Sequence, residues 1–211
     1  QRAFLPLSHM ESARILNRKP HGRILAGDEL LVQVDREAVK PKEPVLTPAI
    51  SLAGRYAVVF PGKERSRLQF SGKLSEDSRL QITEALATAD IREDSLTSHG
   101  CSLIVRTNAE EAAEADYAPL IREARGLIRQ AEELWQTAGM RTCYSCLYRP
   151  ESGYLAEIRD TPQEAYEEIL TDDPDLYEHI RSWLVHSCPE ALPALHLYQD
   201  TAVSLQSLYG L

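Results

Sequence analysis

The chain has 211 residues, 43% of them hydrophobic and 26% charged, which suits a globular protein of one large domain or two to three small ones. No apolar run approaches the roughly 18–20 residues needed to span a bilayer, so no membrane span is expected. The net charge of −9 argues against non-specific attraction to nucleic acid, but it is unevenly distributed. Residues 1–75 hold 13 Lys and Arg against 7 Asp and Glu, a balance of +6, and residues 76–211 hold 10 against 25, a balance of −15. A basic first third on an acidic body can form a local polyanion site.

In chain order, Gln1–Leu7 read as the middle of a strand with no initiator Met, and no signal peptide is evident. The chain is therefore expected to be a piece of a longer protein, and Ser207–Leu211 are expected to end without a closing element. Glu29–Asp35 alternate apolar and polar residues and predict a half-buried strand after the Gly27-Asp28 turn. Lys40–Pro44, with two prolines, is a loop or an edge. Val45–Thr47, Tyr56–Phe60 and Leu68–Phe70 are further short strands separated by Gly54, Pro61-Gly62 and Gly72, which suits a small barrel followed by more sheet.

Beyond residue 75 the pattern turns largely helical. Ser75 is a candidate N-cap for a helix to about Ala89, with Glu76 and Asp77 in its first turn. Ser102–Thr107 read as a buried strand ending in polar residues. Glu110–Met140 are mostly helical, with Leu120, Ile121, Leu127, Ile128 and Leu134 at helical spacing and Pro119 marking a new first turn. Thr142–Tyr148 predict a strand, 152–160 a short helix, and Ala165–Leu170 another strand. Pro174–Val185 form a helix capped by Asp173, and Ala194–Tyr198 a last strand. The fold class is α+β, with no repeats.

Few residues suggest chemistry on their own. Four cysteines are too few for a disulfide scaffold, so reduced thiols in a cytoplasmic protein are expected. Cys143 and Cys146 form a single CxxC without a second pair for zinc, and on a strand their side chains would diverge, so buried structural cysteines are expected. The six histidines form no i, i+4 pair and no HExxH, and GxSxG and phosphate-binding glycine loops are absent. Asp172-Asp173 is a helix cap rather than a metal site. Neither a catalytic residue nor a metal ligand is assigned. Arg106-Thr107 stands apart: a guanidinium and a hydroxyl at a strand end can fork onto a phosphate, although an ordinary strand-end ion pair fits them too.

Four segments in order resemble the RNase E/G family of endoribonucleases. They are Phe4–Leu7; Ala26–Asp35; Leu46-Thr47 leading into Ile50–Tyr56 and Val58–Pro61; and Leu103–Thr107 followed by a long helix. The resemblance implies a partial OB-fold RNA-binding barrel over 1–47, a 5′-sensor α/β region over 48–140, and an RNase H-like α/β segment over 141–211. It implies that a 5′-monophosphate is gripped by Arg106, Thr107, Gly54 and Val58, and that Phe4 and Lys42 contact single-stranded RNA by stacking and charge. A core role for Phe4 is equally open. The catalytic aspartates that hold Mg2+ are expected beyond residue 211, so no cofactor is expected in this chain, and RNA hydrolysis would belong to the parent protein, which could be a homo-oligomer. Alternatives are a non-catalytic RNA-binding or scaffold protein of the same fold and, from the acidic half, a protein-interaction module.

Overall fold

In a computed structural model of the chain, residues 2–6, 13–17, 24–62, 66–161, 165–200 and 202–210 are described. The structure mixes helix and sheet and divides into two compact units, residues 1–149 and 150–211.

The centre of the first unit is a four-stranded sheet. Its strands are β5 (Leu52–Ala53), β6 (Ala57–Pro61), β7 (Leu68–Phe70) and β8 (Cys101–Val105), in the order β5-β6-β8-β7. β8 runs antiparallel to β6, with Ala57 opposite Val105, and parallel to β7, with Phe70 opposite Val105. Strand alternation decides the two faces. Ala57, Val59 and Pro61 of β6 are buried, whereas Val58 and Phe60 are only half-buried.

Helices α1 (Glu76–Thr88), α2 (Glu93–Ser98) and α3 (Ala118–Thr137) complete the core. Ile82 and Leu86 of α1, Leu96 of α2, and Leu120 and Ala124 of α3 are buried in one cluster with Leu52, Val59, Leu103 and Val105. Ser75 caps α1 by accepting from the Ser78 amide, with Glu76 and Asp77 in the first turn as expected. The long helical expectation from Glu110 divides in two. Thr107–Ala115 form a 3₁₀ helix, Asp116 and Tyr117 adopt positive φ, and Pro119 sits in the first turn of α3. α2 was not foreseen, because six residues rich in Ser, Thr and acid carry too little apolar periodicity.

Short strands β1 (Arg14–Ile15), β2 (Leu30–Leu31), β3 (Gln33–Arg36) and β4 (Val45–Thr47) form two separate two-stranded ladders, β1-β2 and β3-β4. The single strand expected over 29–35 is thus split at Val32, and no closed barrel forms among the described residues. Leu31 and Ile50 pack with Leu134, Trp135 and Ala138 in a small satellite cluster. Gly62, at φ +79°, sits against the Trp135 ring, where a side chain would collide.

The expected strand at Thr142–Tyr148 is absent: the segment turns, with Tyr144 at φ 67°. Cys143 and Cys146 are exposed, contrary to the expectation of buried cysteines, and the buried pair is instead Cys101 and Cys188. Without the strand, the argument that the two CxxC thiols diverge no longer holds.

The second unit holds α4 (Gly153–Asp160), β9 (Ile169–Thr171), α5 (Pro174–Ser187), β10 (Leu195–Leu197) and α6 (Leu205–Tyr209). β9 and β10 are parallel. Leu155, Ile180, Leu184, Cys188, Ala191 and Leu195 form its core. Asp173 caps α5, accepting from the amides of Asp175 and Leu176 as expected. The strand expected at Ala165–Leu170 is shorter and later, and Ser207–Tyr209 belong to a short helix capped by Ser204.

Candidate phosphate-binding site

The antiparallel β6-β8 pairing and the parallel β7-β8 pairing bring three chain segments to one edge of the sheet. They are the start of β6, the end of β7 and the end of β8. Arg106 and Thr107 leave β8 there. The Arg106 amide donates to the Tyr56 carbonyl at 2.7 Å, and its Nη1 donates to the Gly54 carbonyl at 2.7 Å. Thr107 turns to the other side, where its hydroxyl lies 3.0 Å from the Ser71 hydroxyl. Ser71 follows β7 and is tied to β8 by its amide donating to the Val105 carbonyl at 2.8 Å. Arg106 on Gly54 and Thr107 on Ser71 thus lie at the same end of the sheet. Val58 lies one position inside β6, opposite Ile104 and Ala53.

The turn that carries Gly54 is built on a carboxylate from α3. Glu123 accepts from three consecutive amides: Arg55 at 2.7 Å, Tyr56 at 2.8 Å and Ala57 at 3.0 Å. Successive N–H groups converging on one anion form a nest, the arrangement that elsewhere binds phosphate. Here the chain's own carboxylate fills it, so phosphate recognition at this edge falls to side chains. Beside it, the Arg55 guanidinium is buried and pairs with Glu111 at 2.7 Å. A buried charge requires such a partner.

Two residues beside Thr107 were missed in the sequence. Ser71 adds a hydroxyl. Arg79, on the first turns of α1, donates from Nη2 to the Ser71 carbonyl at 3.1 Å. Its Nε is buried with no hydrogen-bond partner among the described residues. A buried N–H without an acceptor is costly. Neither residue has a local motif; only the strand pairing and the α1 packing place them beside Thr107. Glu123 was equally hidden, being one of several acids on a long helix.

Phe4 and Lys42 lie elsewhere in the same unit, at the β3-β4 hairpin. Phe4 bridges to Val45, exchanges backbone hydrogen bonds with Pro44 and Leu46, and is 60% exposed. It is not a core residue. Lys42 is exposed in the loop before β4, its amide donating to the Val39 carbonyl at 2.7 Å. Among the described residues no group of three or more His, Cys, Asp or Glu is placed to hold a metal ion, and no helix is long and apolar enough to cross a membrane.

Residues 51–211 match the family model described as the Ribonuclease E/G family. The chain is 28% identical over 205 residues to Ribonuclease E of Haemophilus influenzae, covering 93% of this chain and 21% of that protein. It is 30% identical over 186 residues to Ribonuclease E of Escherichia coli, covering 84% of this chain and 16% of that protein. A third relative, Ribonuclease E of Synechocystis, is 29% identical over 165 residues, covering 78% of this chain and 23% of that protein. The chain thus spans about a fifth of the length of these relatives.

Proposed function

The chain belongs to the ribonuclease E/G family, and from that premise we propose that it is the RNA-binding and 5′-monophosphate-sensing part of an endoribonuclease of RNA processing and decay. The observation that carries this reading is that Arg106 on Gly54 and Thr107 on Ser71 lie at the same end of the sheet. A terminal phosphate carries a charge near −2 and three acceptor oxygens. Arg106 offers a planar donor fork held by the Gly54 carbonyl, and the two hydroxyls add donors that rotate to suit the ligand. Arg79 adds a second guanidinium, its Nη2 donating to the Ser71 carbonyl.

In the same reading, residues 1–47 are the second half of an OB fold, 48–140 the sensor and 141–211 an RNase H-like segment. Phe4, exposed and bridged to Val45, stacks on a base of single-stranded RNA, and Lys42 meets a phosphate. Magnesium-dependent hydrolysis, homo-oligomer formation and a cytoplasmic location belong to the whole protein. Among the described residues no group of three or more His, Cys, Asp or Glu is placed to hold such an ion. This part alone would bind RNA without cleaving it.

The test compares affinity for matched 5′-monophosphorylated and 5′-hydroxyl RNAs. A charge-assisted contact from Arg106 is worth about 1.5–3 kcal/mol. Arg106→Ala should then lower the preference for the phosphorylated RNA by roughly 10–150-fold. Equal affinity of the wild type for the two RNAs would remove the sensor assignment.

A further inference from the structure

A second basic feature lies on α3, outside the Arg106 site. Arg122, Arg125 and Arg129 line a groove of about 500 Å3 with Ala118, Ile121 and Gly126. All three arginines are exposed. Arg122 and Arg129 have no carboxylate partner among the described residues, and Arg125 donates to the Ala89 carbonyl at 2.8 Å. Residues 76–211 contain only ten basic residues against 25 acidic ones, and three of the ten share this groove. The next exposed acid on the helix, Glu133, comes only after the last arginine.

Two features of this groove work against the helix itself. Arg122 and Arg125 are spaced i, i+3, and Arg125 and Arg129 i, i+4, so like charges face each other across successive turns. Gly126 sits in the helix interior, where glycine is unfavourable. No packing among the described residues demands it: a Cβ there would meet none of their atoms within 4 Å. A merely solvated face would pair these arginines with acids and place alanine at 126. Local choices that oppose the fold and coincide at one spot mark a binding surface. An anion would relieve the repulsion, and the missing side chain opens the groove floor to it.

The length of the feature indicates the occupant. Seven residues of helix span roughly 10 Å, too long for one phosphate group and suited to a run of them. Ile121 and Ala118 give the groove an apolar wall against which a sugar or base edge can lie. We propose that this face of α3 is a second RNA contact, a track for the phosphate backbone of a strand, read without regard to sequence or to the 5′ end. It takes its RNA ligand from the function proposed above but not from the Arg106 site.

The experiment measures binding of a 5′-hydroxyl single-stranded RNA across a salt titration. This probe lacks the terminal phosphate, so the outcome is independent of whether Arg106 senses one. Each phosphate contact contributes about 0.7 to the slope of log K against log salt. The triple variant R122Q/R125Q/R129Q should therefore flatten the slope by about 2 and weaken binding roughly 10–100-fold near 0.1 M salt. Its preference for phosphorylated over hydroxyl RNA should not change. Because Arg125 also holds the Ala89 carbonyl, R122Q/R129Q is the second variant, with an expected flattening of about 1.4 and unaltered thermal unfolding. An unchanged slope in that folded double variant would overturn the proposal. So would loss of binding to a polyglutamate peptide with RNA binding intact, which would assign the groove to an acidic protein segment.

Discussion

The carboxylate of Glu123 stands where a side chain on Gly54 would begin. Gly54 does not have a left-handed φ, so the glycine here answers a need for space rather than for backbone freedom. Any Cβ at residue 54 must displace the acceptor of three amides and, with it, the turn whose carbonyl orients Arg106. Gly54→Ala should therefore destabilise the first unit, and so should Glu123→Ala, which strands the amides. The two losses should not add: in Gly54→Ala/Glu123→Ala the clash is gone, and a coupling of about 0.5–3 kcal/mol is expected. Urea unfolding of the four proteins closes the cycle, and simple additivity would refute the relationship.

At the sheet edge, Arg106→Lys keeps the charge but not the fork. A lysine ammonium is a compact point charge without the planar donor set of guanidinium. We expect it to recover less than half of the binding free energy lost in Arg106→Ala, measured as the preference for 5′-monophosphorylated RNA. Full recovery would mean that charge alone serves there.

Thr107 and Ser71 form a hydroxyl pair, so Thr107→Val and Ser71→Ala each remove one member of it. A neutral hydrogen bond contributes about 0.5–1.5 kcal/mol, so each change should weaken 5′-phosphate preference by roughly 2–12-fold. Binding of 5′-hydroxyl RNA should stay constant. A loss that is equal for both RNAs would show a structural rather than a phosphate-binding role.

Leu103 is fully buried on the central strand β8, beneath helices α1 to α3. Leu103→Ala should cost about 2–5 kcal/mol, because the surrounding side chains cannot fully close the cavity. Thermal unfolding measures this, and a cost under about 1 kcal/mol would show that the core readjusts freely.

The four thiols should separate by reactivity. Burial, with Glu132 nearby, pushes the Cys101 thiol up to about 11, and the thiolate is the reactive form. At pH 8 a thiol reagent should modify exposed Cys143 and Cys146 rapidly, while buried Cys101 and Cys188 react only on unfolding. Fast labelling of all four in the native protein would contradict the burial.

Much of this was legible in the residues themselves. A short apolar run punctuated by Gly54 and Pro61-Gly62 marked β6, a buried run ending in polar residues marked β8, Ser75 and Asp173 announced their helices through local capping chemistry, and Pro119 located the restart before α3. Each is a short-range effect, decided by neighbours a few positions away. The ordered segments around Gly54 and Arg106 likewise pointed to the family. The misreadings share the opposite cause. Thr142–Tyr148 had strand-like composition, but among the described residues no neighbouring strand pairs with it, and strand propensity expresses little more than fit to an existing sheet. Glu123 in the amide nest, Arg79 beside Ser71, and the identity of the buried cysteines depend on contacts between distant segments, which periodicity does not carry. Local chemistry thus carried the caps and the short strands of the central sheet, whereas the neighbours of the β8 strand end depend on long-range pairing: β8 lies between β6 and β7, which sets Arg106 against Gly54 and Thr107 against Ser71.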